Sequence, residues 1–302
     1  MKYSDISYYM KNEEFNGFSF EIAIKNFVHR ERSKFQLIEV VDTVPFGRAL
    51  ITDGILMITE LDEVIYHEMI VHVPLSLVKF PKNVLIIGGG DGGCVREVSK
   101  YECVERIDLV EIDEKILGIT QKYFKTWEGV NHQKLNIYIE DGFKFLEKTS
   151  NIYDVVLIDI SAPIDIAKSL YSKDSFEKII RILSDEGVFV IQSESVYVTP
   201  NVAKYILNQI KDLVKFSGVY SVWVPSFLSP WSFIIGSKGN RPDKPKYINL
   251  DSMVFSKMKA YSEEYHIASF SLPPFIKNYL FSDVYLEFSD LLNRNLLRKI
   301  LK

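Results

Sequence analysis

Residues 88–93 read Gly-Gly-Gly-Asp-Gly-Gly, directly after the apolar run that ends at Ile87. Gly88, Gly90 and Gly93 satisfy G-x-G-x-x-G, a spacing that lets a chain turn tightly and a ligand approach the backbone. A plain strand-to-helix turn would use the same residues, so the acids nearby decide the reading. Glu111 closes the next apolar run, where a carboxylate can accept hydrogen bonds from ribose hydroxyls. Asp141-Gly142 follows the third run and places an acid and a free backbone where an adenine ring can be met. Asp159 closes the fourth. Open α/β sheets bind ligands at the carboxyl ends of their strands, and four such positions in succession point to an adenosyl ligand.

Asp91 narrows the ligand. A pyrophosphate would be repelled by a carboxylate set among the glycines, which argues against a dinucleotide. A cationic group would be welcomed. S-adenosylmethionine carries a sulfonium, an ammonium and a carboxylate; its decarboxylated form lacks the competing anion and suits Asp91 better. The bland reading of Asp91 is an Asx turn that caps its own loop. Asp159 has the chemistry to orient an amine and accept its proton, since a free alkylamine with a pKa of ~10 needs help to become a nucleophile. Burial would raise the pKa of Asp159 and a bound cation would lower it; its bland role is a cap or loop hydrogen bond. Tyr66 and His67, with Glu68 beside them, can pack on a ligand or serve a helix structurally. His67 and His72 lie five apart, not the i, i+4 pair of a helical zinc site, so no metal is expected. Cys94 reads as packing behind the loop rather than as a nucleophile, and no G-x-S-x-G elbow occurs.

The elements that must position these residues follow from patterning. Residues 17–60 are rich in β-branched and aromatic types. GFSFEIAIKNFVH and KFQLIEVV read as strands separated by RERS, and Asp53-Gly54 between two apolar runs signals a hairpin. From residue 62 the pattern becomes helical, with Val64, Ile65, Met69 and Val73 at helical spacing and Pro74 bending or ending the helix. Five near-continuous apolar runs follow, at 83–89, 106–112, 134–140, 154–160 and 187–193, as expected for strands buried on both faces of a parallel sheet. EKILGITQKYFKTW and SFEKIIRILSD suit crossover helices, a further helix is expected near 200–215, and YSVWVPSF and WSFIIGS read as strands. Residues 241–247 form a polar, Pro-containing loop, and the tail from about 283 reads as helical. The predicted architecture is α/β: a small N-terminal antiparallel β domain, residues 1–60, and a Rossmann-like, doubly wound domain, residues 61–302, of the class I S-adenosylmethionine-dependent transferase type.

Composition sets outer limits. The chain has 302 residues, 47 % of them apolar, and a formal net charge of −4, ordinary globular proportions with 20 Phe and 17 Tyr to fill a large core. The mild acidity argues against nucleic acid as the main partner. Two cysteines, Cys94 and Cys103, cannot build a disulfide framework. The first residues lack the apolar core of a secretory signal, and no run reaches the roughly 18 apolar residues of a membrane span. A soluble, cytoplasmic setting is expected, with no membrane partner.

Taken together, the stretch DEVIYHEMIVHVPL, the loop VLIIGGGDGG, the acid in LVEID, the Asp141-Gly142 pair and the late segment HIASFSLPPFIK resemble the spermidine synthase family of aminopropyltransferases, from about residue 17 to 280. The resemblance implies transfer of an aminopropyl group from decarboxylated S-adenosylmethionine to an amine such as putrescine, with release of methylthioadenosine and no prosthetic group. It implies that Gln36 and Tyr66 contact cosubstrate or substrate, that His67 and Asp91 meet the aminopropyl arm, and that Gly88 and Gly90 border the nucleoside. Glu111 would bind ribose, Asp141 with Gly142 adenine. Asp159 would hold the attacking amine, and Gln192 and Glu194 would line the diamine pocket. A homodimer or homotetramer is implied. Two positions depart from the family pattern: Ala162 stands where a second acid is usual, and Phe227 is the best counterpart of a tyrosine. Both lie on the amine side, so spermidine, agmatine or cadaverine are alternative acceptors, and a degenerate nucleoside- or polyamine-binding paralogue is the non-enzymatic alternative. A loop at 160–172 would close over the site.

Overall fold

The β-branched and aromatic residues that open the chain form strands. The computed structural model describes residues 8–13, 19–161, 169–247 and 256–291. Strands β1 (Tyr8–Glu13), β2 (Ser19–Arg32), β3 (Leu37–Thr43), β4 (Gly47–Thr52) and β5 (Ile55–Thr59) pair antiparallel in chain order. Asp53 and Gly54 both take positive φ, 47° and 82°, the geometry of a two-residue turn whose twist matches its strands. RERS does not separate β2 from β3. The strand continues through Arg32, and the reversal is made by Ser33, whose Oγ accepts from the backbone N–H of Phe35 and of Gln36 at 3.0 Å each. A hydroxyl that caps a turn outweighs a cluster of charges that alternates readily along a half-exposed strand.

Helix α1 (Glu63–Leu75) is buried around its whole circumference from Tyr66 onward rather than along one face. Its apolar residues share one core with Ile38, Val40, Leu50 and Ile58 of the first sheet and with Val84 and Ile86 of the second. Pro74 sits in the last turn, where the helix ends.

The second sheet holds β6 (Asn83–Gly88), β7 (Arg106–Glu111), β8 (Leu135–Ile139), β9 (Tyr153–Asp159), β10 (Leu183–Gln192), β11 (Phe216–Val224) and β12 (Ser229–Ser237), in the order β11-β12-β10-β9-β6-β7-β8. The strands from β10 to β8 are parallel, and β12 and β11 add antiparallel at one edge. This is the Rossmann-like fold expected. Near-continuous apolar runs serve two cores at once. Val84, Ile86, Val155, Leu157, Val188 and Val190 face α1, whereas Leu85, Ile87, Val156, Ile158, Phe189 and Ile191 face the opposite layer. Helices α2 (Gly93–Ser99), α3 (Glu114–Tyr123), α4 (Gly142–Lys148), α5 (Lys173–Ile182) and α6 (Pro200–Ile210) join or follow the strands. The late segment forms α7 (Glu263–Ser269) and α8 (Pro274–Leu280).

Several boundaries differ from expectation. The stretch from Glu114 to Trp127 is not one helix: α3 stops at Tyr123, and a 3-10 turn at Lys125–Trp127 folds inward, where Thr126 Oγ1 donates to the Asp91 carbonyl and Trp127 Nε1 to Thr120 Oγ1 at 3.0 Å. Helix α5 ends at Ile182, because Leu183 already pairs with Tyr153 in the sheet. The helix expected to 215 ends at Ile210. The tail forms only a 3-10 turn at Phe288–Asp290 among the described residues; residues 292–302 lie outside them. No helix among the described residues is long and apolar enough to cross a membrane.

Candidate active site

In the sheet order, β6 is flanked by β7 on one side and β9 on the other, so the chain winds away in both directions from there. Such a reversal opens a crevice at the carboxyl ends of the strands. Gly88 lies opposite Asp159 in that register, and the N–H of Gly89 donates to the Asp159 carbonyl at 2.8 Å. The glycine loop and the fourth acid are thereby fixed to each other by backbone alone. Gly90 accepts at its carbonyl from Thr120 Oγ1 at 2.8 Å.

Around this crevice the structure gathers Tyr66, His67, Asp91, Cys94 and Asp159. Tyr66 donates its hydroxyl to Asp159 Oδ1 at 2.6 Å, and Cys94 donates its thiol to Oδ2 at 3.3 Å. Burial raises the Asp159 carboxyl above its ordinary value, the Asp91 charge raises it further, and His67 with the two hydrogen bonds opposes only in part. Asp91 goes the other way. Burial would raise it, but His67 at 3.2 Å and the Gly93 N–H at 2.8 Å outweigh that and leave it lowered. The Asx turn considered from sequence is thus present, on the same carboxylate that faces His67.

The ring of His67 lies so close over Gly93 that a Cβ there would fall 2.2 Å from it. One ring nitrogen meets Glu63 Oε2 at 2.6 Å, the other Asp91. His67, Cys94 and Asp159 bring one donor atom each within 4.8 Å, the spacing of a metal cluster. Their chemistry is otherwise: both imidazole nitrogens are committed to carboxylates, and burial pushes the Cys94 thiol well above its ordinary pKa. His72 turns elsewhere, to Glu97 at 2.9 Å and Tyr101 at 2.8 Å. Glu68, the neighbour of His67 in sequence, accepts the backbone N–H groups of Lys259, Ala260 and Tyr261 at 2.7–3.1 Å and ties α1 to a distant segment.

At the other end of the crevice, Glu111 is buried and accepts the N–H of Asp113 at 2.9 Å. Burial raises its pKa to about 7, with the nearby Asp113 charge adding to the rise and backbone hydrogen bonds, one from Gly90, opposing it. Gln36 reaches the same place from the β2–β3 turn: its Nε2 donates to Asp113 Oδ2 at 3.0 Å, beside the Ser33 hydroxyl at 2.6 Å. Asp141 caps α4 by accepting from Phe143 N at 2.8 Å, and Gly142 is buried against Ile87.

On the third side, Gln192 Nε2 donates to the Ile160 carbonyl at 2.8 Å and to Tyr171 Oη at 3.2 Å, while its Oε1 accepts from Glu194 N at 3.0 Å. Its amide therefore holds the backbone just after Asp159. Glu194, at φ +58°, lines a cleft of about 130 Å³ with Phe227, Leu228 and Trp231. The Phe227 ring stands 6.4 Å from that of Tyr66. Ala162 and the stretch 162–168 of the expected closing loop lie outside the described residues. Sequence reasoning missed Glu63, Arg96 and Tyr171, and read Cys94 as packing only. An acid four residues before His67 and an arginine on the helix after the loop were the available signals.

Two family descriptions match the chain: "Spermine/spermidine synthase domain" over residues 63–268 and "Spermidine synthase tetramerisation domain" over residues 8–60. Among curated proteins, the polyamine aminopropyltransferase of Methanocaldococcus jannaschii is 38 % identical over 268 residues, covering 87 % of this chain and 92 % of that protein. That of Bacillus cytotoxicus is 36 % identical over 261 residues, covering 86 % and 94 %. Among solved structures, spermidine synthase from Thermotoga maritima superposes with a TM-score of 0.82 at 32 % identity, covering 90 % of this chain and 94 % of that one. A spermidine synthase in complex with the transition state analogue AdoDATO gives a TM-score of 0.84 at 32 % identity with the same coverage.

Proposed function

The chain belongs to the spermine/spermidine synthase family, an aminopropyltransferase family, and from that premise we propose that it moves the aminopropyl group of decarboxylated S-adenosylmethionine to putrescine, giving spermidine and methylthioadenosine. The observation that carries the reading is a pair of half-buried acids at one crevice, Asp91 held by His67 at 3.2 Å and Asp159 by the Tyr66 hydroxyl at 2.6 Å, the first lowered and the second raised in proton affinity. Two titratable groups pushed apart in this way divide the work of charge binding and proton transfer.

Asp91 binds the ammonium of the aminopropyl arm. Asp159, steadied by Tyr66, accepts a hydrogen bond from the attacking amine and takes its proton. The amine nitrogen forms a bond to the methylene beside the sulfonium, the carbon–sulfur bond breaks, and its electron pair neutralises sulfur. Glu111 takes the ribose hydroxyls, Gln36 with Asp113 closes that end, and Asp141 with Gly142 meets adenine. The sulfonium is already a good leaving group, so alignment of the reacting atoms supplies much of the rate. Glu194 and the cleft beside Phe227 receive the far end of the amine. Two domains divide the chain, residues 1–60 for assembly and 61–302 for chemistry. The protein works as a homodimer or homotetramer in the cytoplasm, a setting its free cysteines support.

Methylthioadenosine release with a panel of amines tests the reading. Putrescine is expected as best acceptor, and Asp159→Asn should lower kcat by a factor on the order of 10²–10⁴. Methylthioadenosine should still bind that variant within about twofold of the wild type. Preference for a longer amine would replace putrescine and keep the chemistry; no release with any amine would overturn the assignment.

A further inference from the structure

His67 is fully buried, and both of its ring nitrogens lie against carboxylates: Nδ1 against Glu63 Oε2 at 2.6 Å, Nε2 against Asp91 Oδ1 at 3.2 Å. An ionised carboxylate only accepts hydrogen bonds, and a neutral imidazole has one N–H to give. The geometry is satisfied by the imidazolium, which donates on both sides. Glu63 is itself held from the far side. Arg96 grips it with two parallel bonds, Nη1 to Oε1 at 2.8 Å and Nη2 to Oε2 at 2.9 Å. Arg96 Nε donates to Glu97 at 2.8 Å, and Glu97 is paired with Lys100 at the half-exposed end of α2. Charges of alternating sign thus run inward from Lys100 through Glu97, Arg96, Glu63 and His67 to Asp91.

We infer that Glu63 and Arg96 are positioning residues that hold His67 as an imidazolium and so keep Asp91 ionised and correctly turned for the ammonium of the cosubstrate; this rests on the aminopropyl-transfer reading above. Two half-buried carboxylates that feel each other's charge, as Asp91 and Asp159 do, compete for one proton. A fixed cation on the Asp91 side decides the competition. Asp91 remains an anion, ready for the ammonium, and Asp159 becomes the acid with proton affinity to spare, ready for the amine. The groups that face His67 are Glu63 and Tyr66 from its own helix, Asp91 from the glycine loop, Cys94 from α2 and Asp159 from β9. Tyr66 and Cys94 are both pushed up by burial and stay neutral, so Glu63 and Arg96 are the levers that act on the ring without touching substrate.

The experiment records ¹⁵N shifts of the histidine rings in the full-length protein between pH 6 and 9, with His67→Asn to assign the signal, and measures binding of decarboxylated S-adenosylmethionine and of methylthioadenosine. In the wild type, His67 should show two protonated ring nitrogens at pH 8. Glu63→Gln should shift it to the neutral form at that pH and weaken decarboxylated S-adenosylmethionine by about tenfold, as expected for losing a charge-assisted partner of Asp91. Methylthioadenosine, which has no ammonium, should bind within about twofold, a selectivity that a merely structural role would not produce. Arg96→Lys, which keeps the charge and loses the fork, should fall between and serves if Glu63→Gln does not fold. A neutral His67 in the wild type at pH 8, or equal loss of both ligands in either variant, overturns the inference. Absence of transfer to any amine would overturn the proposed function alone, since the ring's charge state is read without turnover.

Discussion

At the scale of single residues, burial and neighbours, not residue type, set the chemistry. Glu111 has a pKa near 7 because burial disfavours its charge. Its proposed role needs the carboxylate, which accepts from two hydroxyls. Affinity for methylthioadenosine should therefore fall as pH drops through about 7, and Glu111→Gln should bind weakly at every pH with a flatter profile; titration calorimetry from pH 5.5 to 8.5 checks both. The sign for stability is opposite. An acid whose pKa is raised on folding stabilises below its unfolded value and loses that contribution as pH rises through the folded one. Glu111→Gln should accordingly raise the denaturation midpoint at pH 8 and leave it unchanged at pH 4. Cys94 belongs to the same lesson. As a residue type it packs behind the loop, and in place its thiol also touches the Asp159 carboxylate.

At the scale of elements, two glycines separate backbone cost from packing cost. Gly54 sits at φ +82° with nothing within 4 Å of a Cβ, so Gly54→Ala should cost about 1 kcal/mol by urea denaturation and spare activity. At Gly93 an added Cβ would fall 2.2 Å from the His67 ring, so Gly93→Ala should cost about 1–3 kcal/mol by the same measurement and abolish transfer by displacing that ring. The clamp between α1 and α2 makes its own prediction. The Arg96 fork and His67 overcome burial and hold Glu63 at about 2, and Glu97 is likewise lowered by His72, Lys100 and Arg96. Lowered carboxyls stabilise above their unfolded value and lose that stability as pH falls toward the folded one. Thermal midpoints should decline from about pH 4.5 downward, and the decline should be shallower in Glu63→Gln.

At the scale of the whole molecule, the first sheet carries a match to a tetramerisation domain, and Phe27 and Ile55 on its strands, with Val44 and Leu61 in the turns beside them, stand substantially in solvent. Light scattering after gel filtration should give a multiple of the chain mass, and Phe27→Lys with Leu61→Lys should lower it. Local patterning carries the α/β order, the glycine loop and the acids at the ends of β6 to β9, because strand period and glycine spacing are properties of neighbouring residues. It could not place Gln36 beside Asp113, 77 positions away, since that depends on how the β2–β3 turn meets α3. Nor could it show Arg96 on Glu63 across 33 positions, or Cys94 on Asp159 across 65. Tertiary structure alone decided which acid is raised and which is lowered. Protonation depends on the water excluded and the charges brought near, and both are fixed only when α1 is buried between the two sheets.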